Sequence, residues 1–286
     1  MLQSVRRFFT DRGYTEVETP VRVAAPCPEP HIDAEPSGDR YLRTSPELYL
    51  KRLVAAGLER VFELGPCFRR GERGPLHRPE YTMLEWYRAG ADYMAILGDA
   101  KALLAAVLGR VLGSTRLLRR GTAIEAMSAW ECMTVEEAFL AFAGWNPVRD
   151  FDEDRFDIDL VDRVLPALPP DRPAVLKDYP PEAAALARCR GTDPVVAERW
   201  ELYLGGVELA NAFSELTDVG EQRRRFEACL ARRAASGQDV YPLDEFFLAA
   251  LADGLPSCGG AALGIDRLVM LMTGADSLDE VRAFCG

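Results

Sequence analysis

Hydrophobic and polar positions change their period several times along this chain, and each change predicts an element. Residues 1–12 read as a helix that Gly13 closes. YTEVETPV then alternates like a strand and stops at Pro20, and residues 24–38, rich in Pro, Ala and acid, read as a loop. YLRTSPELYLKRLVAAG starts as a strand, turns at Ser45-Pro46 and becomes a helix ending near Gly57. VFELGPCFRR and PEYTMLEWYRA read as two strands joined by the loop GERGPLH. An Ala/Leu-rich helix follows over 93–112, and Thr134-x-x-Glu137 is a capping box that opens another. AERWELYLGGVELANAFSEL returns to strand-like sequence, and RRRFEACLARRAASG is helical. GGAALGIDRLVMLMTG is a Gly-rich lead-in to an apolar helix, and Ser277-x-x-Glu280 caps a short last one.

Strands joined by turns rather than by regular crossover helices predict an α+β fold, an antiparallel sheet flanked by helices. The expected organisation is a single catalytic domain over 1–286 with a helical insertion at about 113–195, where Pro, Asp and Arg are frequent and no motif stands out. Neither GxxxxGK[ST] nor GxGxxG after a strand occurs, so any nucleotide is bound by other means.

Composition narrows the function classes. The 286 residues are 48% apolar and 28% charged, which excludes global disorder. No uninterrupted apolar run is long enough for a membrane span, and the N-terminus lacks a signal peptide's apolar core. Seven scattered cysteines with no CxxC pair argue against structural zinc and fit a reducing cytoplasm. The formal net charge is −11, a poor match to generic phosphate-backbone binding. Only three of the 34 basic residues are lysines: Lys51, Lys101 and Lys177.

Against that acidic total, the loop after Phe68 is conspicuous. Arg69 sits at a strand end, and Arg70, Arg73, His77 and Arg78 crowd the same loop. Such a cluster is either a solvated hairpin tip or the clamp of an anion, because guanidinium groups offer planar forks to phosphate or carboxylate. GVELANAFSEL carries Glu208 and Glu215 among apolar neighbours. Either they are solvated separately or they meet a cation, and a hard ion such as Mg²⁺ would suit them. Seven residues apart on a straight strand they face opposite ways, so convergence needs a bulge near Ala210-Asn211. Gly264 and Arg267 stand at a helix entrance, where close backbone approach and the helix dipole favour an anion. Glu47, after the Ser45-Pro46 turn, can bind an amine.

Taken in order, these segments resemble the three motifs of class II aminoacyl-tRNA synthetases. FFTDRGYTEVETPV resembles motif 1, FRRGERGPLHRPEYTMLEWY motif 2 and GGAALGIDR motif 3. SPELYLKR, HRPEYTMLEWY and ELANAFSELTD are similar to the lysine branch. The likeness covers about 1–112 and 200–286. The chain starts almost at motif 1, where lysyl-tRNA synthetases carry an anticodon-binding domain first. It therefore resembles the branch's stand-alone paralogues, which attach (R)-β-lysine to a lysine side chain of elongation factor P. Ala262 agrees, since lysyl-tRNA synthetases have Gly at that position.

The resemblance implies ATP and Mg²⁺ as cofactors, β-lysine and elongation factor P as substrates, a homodimer, and no tRNA. It places Arg69 on the α-phosphate, with Arg70, Gly71, Glu72, His77 and Arg78 around the ATP. Glu208 and Leu209 would lie by ATP, Glu208 also near Mg²⁺, and Glu215 would meet Mg²⁺ or the substrate amine. Ser45, Pro46, Glu47, Tyr87 and Ala262 would shape the amino-acid pocket. Gly264 would pass under ATP, and Arg267 would stack on adenine or reach the γ-phosphate. Two positions depart from the pattern: Gly71 stands where motif 2 has its Glu, which follows at Glu72, and Arg78 stands where lysine enzymes have Asn. Two alternatives stay open, a lysyl-tRNA synthetase fragment working with a separate tRNA-binding chain and a non-catalytic regulatory paralogue.

Overall fold

The computed structural model describes residues 1–191 and 193–284, so Cys285 lies outside the described residues. A nine-stranded sheet runs through the molecule. Across it the strands are Thr15–Glu16, Arg60–Phe68, Glu80–Ala89, Cys258–Gly264, Val207–Ser214, Val196–Leu204, Ala174–Tyr179 and Glu131–Thr134, with Cys189–Arg190 also pairing on Val196–Leu204. The centre is antiparallel, as the turn-linked strands predict. Both edges are parallel, Thr15–Glu16 on Arg60–Phe68 and Glu131–Thr134 on Ala174–Tyr179, so the sheet as a whole is mixed rather than antiparallel.

Alternation along the strands sends one set of side chains to each face. Phe62, Leu84, Trp86, Trp200, Leu202, Ala261 and Leu263 face the larger core with the helices Leu2–Thr10, Tyr93–Leu112 and Ile265–Thr273. Asp92 caps the longest of these by accepting from the Ala95 N–H at 2.7 Å, and Gly113 ends it in the left-handed region. Its Leu103, Leu104, Val107 and Leu108 are fully buried, each contributing about 1.5–3 kcal/mol. Opposite, the helices Glu47–Ala55, Val219–Ala235 and Glu245–Gly254 pack only the Val61–Tyr87–Cys258 end of the sheet. At the other end of the same face the helices Val135–Phe142 and Glu153–Asp159 pack over Ala174, Leu176 and Tyr203, and the stretch between carries the site.

The 113–195 stretch is not a helical insertion. It holds helices at Val135–Phe142 and Glu153–Asp159, but three of its strands extend the main sheet, and a further pair, Arg116–Arg119 with Thr122–Glu125, forms its own ladder. Proline and charge hide strands this short from a periodicity reading. YTEVETPV forms a ladder only at Thr15–Glu16. Beyond it the chain is tied by side chains. Thr19 Oγ1 donates to Glu63 Oε2 at 2.7 Å, and the buried Arg43 donates to Glu63 Oε1 at 2.6 Å and Thr19 Oγ1 at 2.7 Å. Losing one partner of a buried pair like Arg43–Glu63 costs ~3–5 kcal/mol. Both capping boxes form, at Thr134/Glu137 and Ser277/Glu280.

Candidate active site

Register builds the site from two rows of residues across the stretch of the sheet between these two groups of helices. One row runs Glu85, Ala262, Asn211, Glu201, each directly paired with the next across neighbouring strands. The adjacent row runs Tyr87, Gly260, Phe213, Arg199. Both rows line a cavity of about 1180 Å³, together with Ser45, Glu47, Arg69 and Met83. A bulge makes the second strand of this wall fit. Leu202 pairs with Ala210 but Tyr203 pairs with Glu208, so Leu209 is an extra residue. The Leu209 side chain goes into the core, and Glu208, paired with Tyr203, turns to the same face as Asn211 and Phe213. The bend the Glu208–Glu215 spacing requires is therefore present, one residue before Ala210-Asn211.

The end of the site beside the 69–79 loop is cationic. Arg69 reaches the cavity from the end of its strand, with its backbone N–H on the Pro79 carbonyl at 2.8 Å and its guanidinium 5.2 Å from the Tyr81 ring centre. Its buried Nε has no hydrogen-bond partner. Arg267 joins the loop to the bulged strand. It donates to the Glu208 carbonyl at 2.7 Å and the Leu76 carbonyl at 3.2 Å, and its Nη2 lies 2.9 Å from His77 Nε2. Burial and Arg267 both lower the His77 pKa, so the ring is neutral and accepts. Desolvation in the cleft and nearby Glu201 raise Glu208, while Arg267 and Arg69 oppose them. Gly264 pairs with Met83 at the strand end just ahead of the Arg267 helix.

Other loop residues point elsewhere. Arg70 is held by Asp239 at 2.7 Å and by Asp33. Arg78 pairs with Asp279 and donates to the Gly74 and His77 carbonyls. Gly71 has a φ of 76°, which suits glycine, and Glu72 lies 3.6 Å from Arg69. Arg70 and Arg78 thus shape the loop from outside; neither lines the cavity, and His77, Glu208, Glu215, Gly264 and Arg267 border it rather than line it.

The opposite end is acidic. Ser45 Oγ accepts the Glu47 N–H at 2.9 Å and donates to Glu85 Oε1 at 2.6 Å, and Tyr87 OH donates to Glu85 Oε2 at 3.1 Å. Pro46 caps the helix that carries Glu47. Burial, with Glu47 nearby, pushes Glu85 up to about 8, and burial pushes Glu29 and Glu215 up to about 7. Such carboxyls are poised to ionise around a cation. Lys51 already supplies one, with Nζ 2.5 Å from both Glu47 Oε1 and Glu215 Oε2.

That pairing sets Glu215 beside Lys51 and Glu47, while Glu208 sits on Arg267. Among the described residues no group of three His, Cys, Asp or Glu is placed to hold a metal ion. The hard oxygens on this face that could face Mg²⁺ are those of Glu208 and the Asn211 Oδ1, which is buried without a partner, with Glu201 beside them but held by Arg199 at 2.5 Å and by Tyr203. Sequence reading missed Glu201, Asn211, Glu85 and Lys51. A lone acid inside an apolar strand, the signal that singled out Glu208, also marks Glu85, and Lys51 stands one helical turn after Glu47.

The motif hairpin, the Gly-rich strand beside it and Arg69 at the mouth of the cavity agree with the class that comparison with known proteins gives. The chain belongs to the tRNA synthetases class II (D, K and N), whose family model matches residues 1–286. Among its relatives are the elongation factor P (R)-β-lysine ligases of Hamiltonella defensa, Klebsiella pneumoniae and Vibrio cholerae. They are 40%, 41% and 39% identical to it, each over 99% of this chain and 92% of the relative.

Proposed function

We propose that this chain activates (R)-β-lysine with ATP and transfers it to a lysine side chain of elongation factor P. The observation that carries the reading is one cavity that Arg69 enters from the loop side and that the carboxyls of Glu47 and the buried Glu85 line. That matches an amino acid whose carboxylate must meet a nucleotide phosphate while its ammonium groups are held apart from it. The family supports ATP use, and the ligase relatives support the amino acid and the acceptor.

In the first step a β-lysine carboxylate oxygen bonds to the α-phosphorus, the bond to the β-phosphate oxygen breaks, and pyrophosphate leaves. Arg69 and Arg267 oppose the charge that builds there. Glu208 and Asn211, with Glu201 beside them, would hold Mg²⁺, which offsets phosphate charge when bound. In the second step a neutral lysine ε-amine attacks the carbonyl carbon. AMP leaves, the nitrogen loses a proton and an amide remains. Glu47, Glu85 and Tyr87 hold the ammonium groups, and no protein acid or base is required.

Cytoplasmic location and a homodimer belong to the same reading. Among the described residues no helix is long and apolar enough to cross a membrane. Pyrophosphate exchange with β-lysine, α-lysine and no amino acid, followed by transfer of the label, tests the reading. Exchange strongest with β-lysine and label on elongation factor P are expected. Efficient charging of bulk tRNA, or no exchange at all, overturns it.

A further inference from the structure

Lys51 is the unusual group at the amine end. Its side chain is 1% exposed, in a chain with only three lysines. The other two lie elsewhere, Lys101 against Trp130 and Lys177 on Asp178. Burial alone would lower its pKa, but Glu215 and Glu47 more than reverse this, so Lys51 is charged. It therefore stands as a built-in ammonium among the carboxyls that face an incoming one.

The Lys51–Glu215 contact is incomplete in a telling way. Lys51 Nζ lies 2.5 Å from Glu215 Oε2, and the other oxygen, Oε1, is buried without a hydrogen-bond partner. Glu215 is fully buried behind Gly260 of the cavity wall, where a Cβ would lie 2.7 Å from Oε1 and 2.2 Å from the Tyr87 ring, so only the missing side chain of this glycine leaves Oε1 next to the cavity. A purely structural ion pair would fill its acceptors. Here one cation is shared by two carboxylates, Glu47 lines the cavity, and Glu215 Oε1 is left unpartnered behind Gly260.

We infer that Lys51 is a positioning residue for amine recognition: its ammonium holds Glu47 and Glu215 as a fixed, partly neutralised wall that receives the substrate's ammonium groups. The inference rests on the functional reading above and names the residue that sets its amine site. Without Lys51 the carboxyls at this end repel one another with no internal counterion, and their orientation is no longer set.

The test is chemical rescue. Lys51→Ala removes three carbons and a nitrogen, the shape of propylammonium. Calorimetric binding of β-lysine to the folded Lys51→Ala chain is expected to weaken by roughly 30-fold or more, the effect of removing one partner of a buried charge pair. Propylammonium should restore at least about a third of the lost affinity on a logarithmic scale, and propanol should not. In exchange assays the loss should appear in KM for β-lysine and not in KM for ATP. Lys51→Arg keeps the charge but displaces it, so it is the second variant if Lys51→Ala does not fold. Weaker β-lysine binding at an unchanged Tm is expected for it. Unchanged β-lysine affinity in either folded variant, or equal rescue by propanol, overturns the inference. A wild-type chain that binds β-lysine but forms no adenylate refutes the functional reading while the Lys51 comparison stays readable. A wild-type chain that binds no β-lysine overturns both.

Discussion

Single residues at the site divide by where their side chains are anchored. Arg69 ends in the cavity with an unpartnered Nε, whereas Arg70 is spent on Asp239 and Asp33. Arg69→Ala is therefore expected to slow adenylate formation by about 10²–10³-fold, the effect of removing a donor aimed at developing charge. Arg70→Ala should cost less than about fivefold, since an exposed pair contributes ~1 kcal/mol or less. Single-turnover rates for both variants decide, and equal losses would move the clamp. Ala262 places its methyl between Glu85 and Asn211 in the row that crosses the cavity floor. The amine of β-lysine sits one carbon further from the carboxylate than that of α-lysine, and a methyl at this point crowds the α-arrangement. Ala262→Gly should improve α-lysine relative to β-lysine by about 10–200-fold, the range one methyl commands in a fitted pocket. Adenylate formation with both isomers checks it, and an unchanged ratio leaves Ala262 only its smaller backbone effect on stability. Most of these residues were visible in the sequence as charges in unlikely places. Their partners were not, because nothing local tells Arg70 that Asp239 will be beside it.

At the scale of elements, the bulge at Leu209 decides which carboxylates meet. The hairpin of Val196–Leu204 and Val207–Ser214 turns at Gly205-Gly206, both with positive φ, and the extra residue follows almost at once. Glu208 is thereby turned toward Glu201 and Asn211, and Glu215 beyond the strand end goes to Lys51. Glu201→Gln and Glu208→Gln should each raise the Mg²⁺ concentration needed for half-maximal exchange by roughly tenfold or more. Glu215→Gln should leave that concentration unchanged and raise KM for β-lysine instead. A Mg²⁺ titration of the three variants is the measurement, and a metal shift in Glu215→Gln would return that residue to the phosphate end. The need for a bend was readable from a seven-residue spacing on a two-residue period. Its position, and the edge strands contributed by 131–190, came from pairing with distant strands.

For the whole molecule, the ligand-free cavity is electrostatically strained by its buried carboxyls. Glu85 is raised to about 8 and Glu29 and Glu215 to about 7, all above their ordinary value of 4.5. For a carboxyl raised by folding, the folded state binds protons more tightly than the unfolded one. Its stabilising contribution is complete below pH 4.5 and disappears as pH rises through 7 to 8. The empty protein should therefore lose a few degrees of Tm, about the effect of 1–2 kcal/mol, between about pH 5.5 and 8. Saturating β-lysine should flatten that slope, because its ammonium groups favour the ionised carboxyls. Thermal melts across pH with and without β-lysine test this, and parallel slopes would refute it.

The sequence by itself determined most of the helices, the two capping boxes, the motif hairpin and the family, because each depends on neighbours within a few residues or on short motifs in a set order. The helices Glu153–Asp159 and Glu245–Gly254 were not legible in it. Helical spacing marks 93–112, Thr134 and Glu137 close their own capping box, and the alternation in PEYTMLEWYRA already separates Leu84 and Trp86 from Glu85 and Tyr87. Only the tertiary structure decided what stands opposite what. The row Glu85–Ala262–Asn211–Glu201 joins four strands drawn from three separate parts of the chain. The clamp of Glu47 and Glu215 on Lys51 likewise depends on where one helix settles against one strand end. A charge buried in protein takes its state from whichever charge lies a few ångströms away in space, and separation along the chain carries no information about that distance.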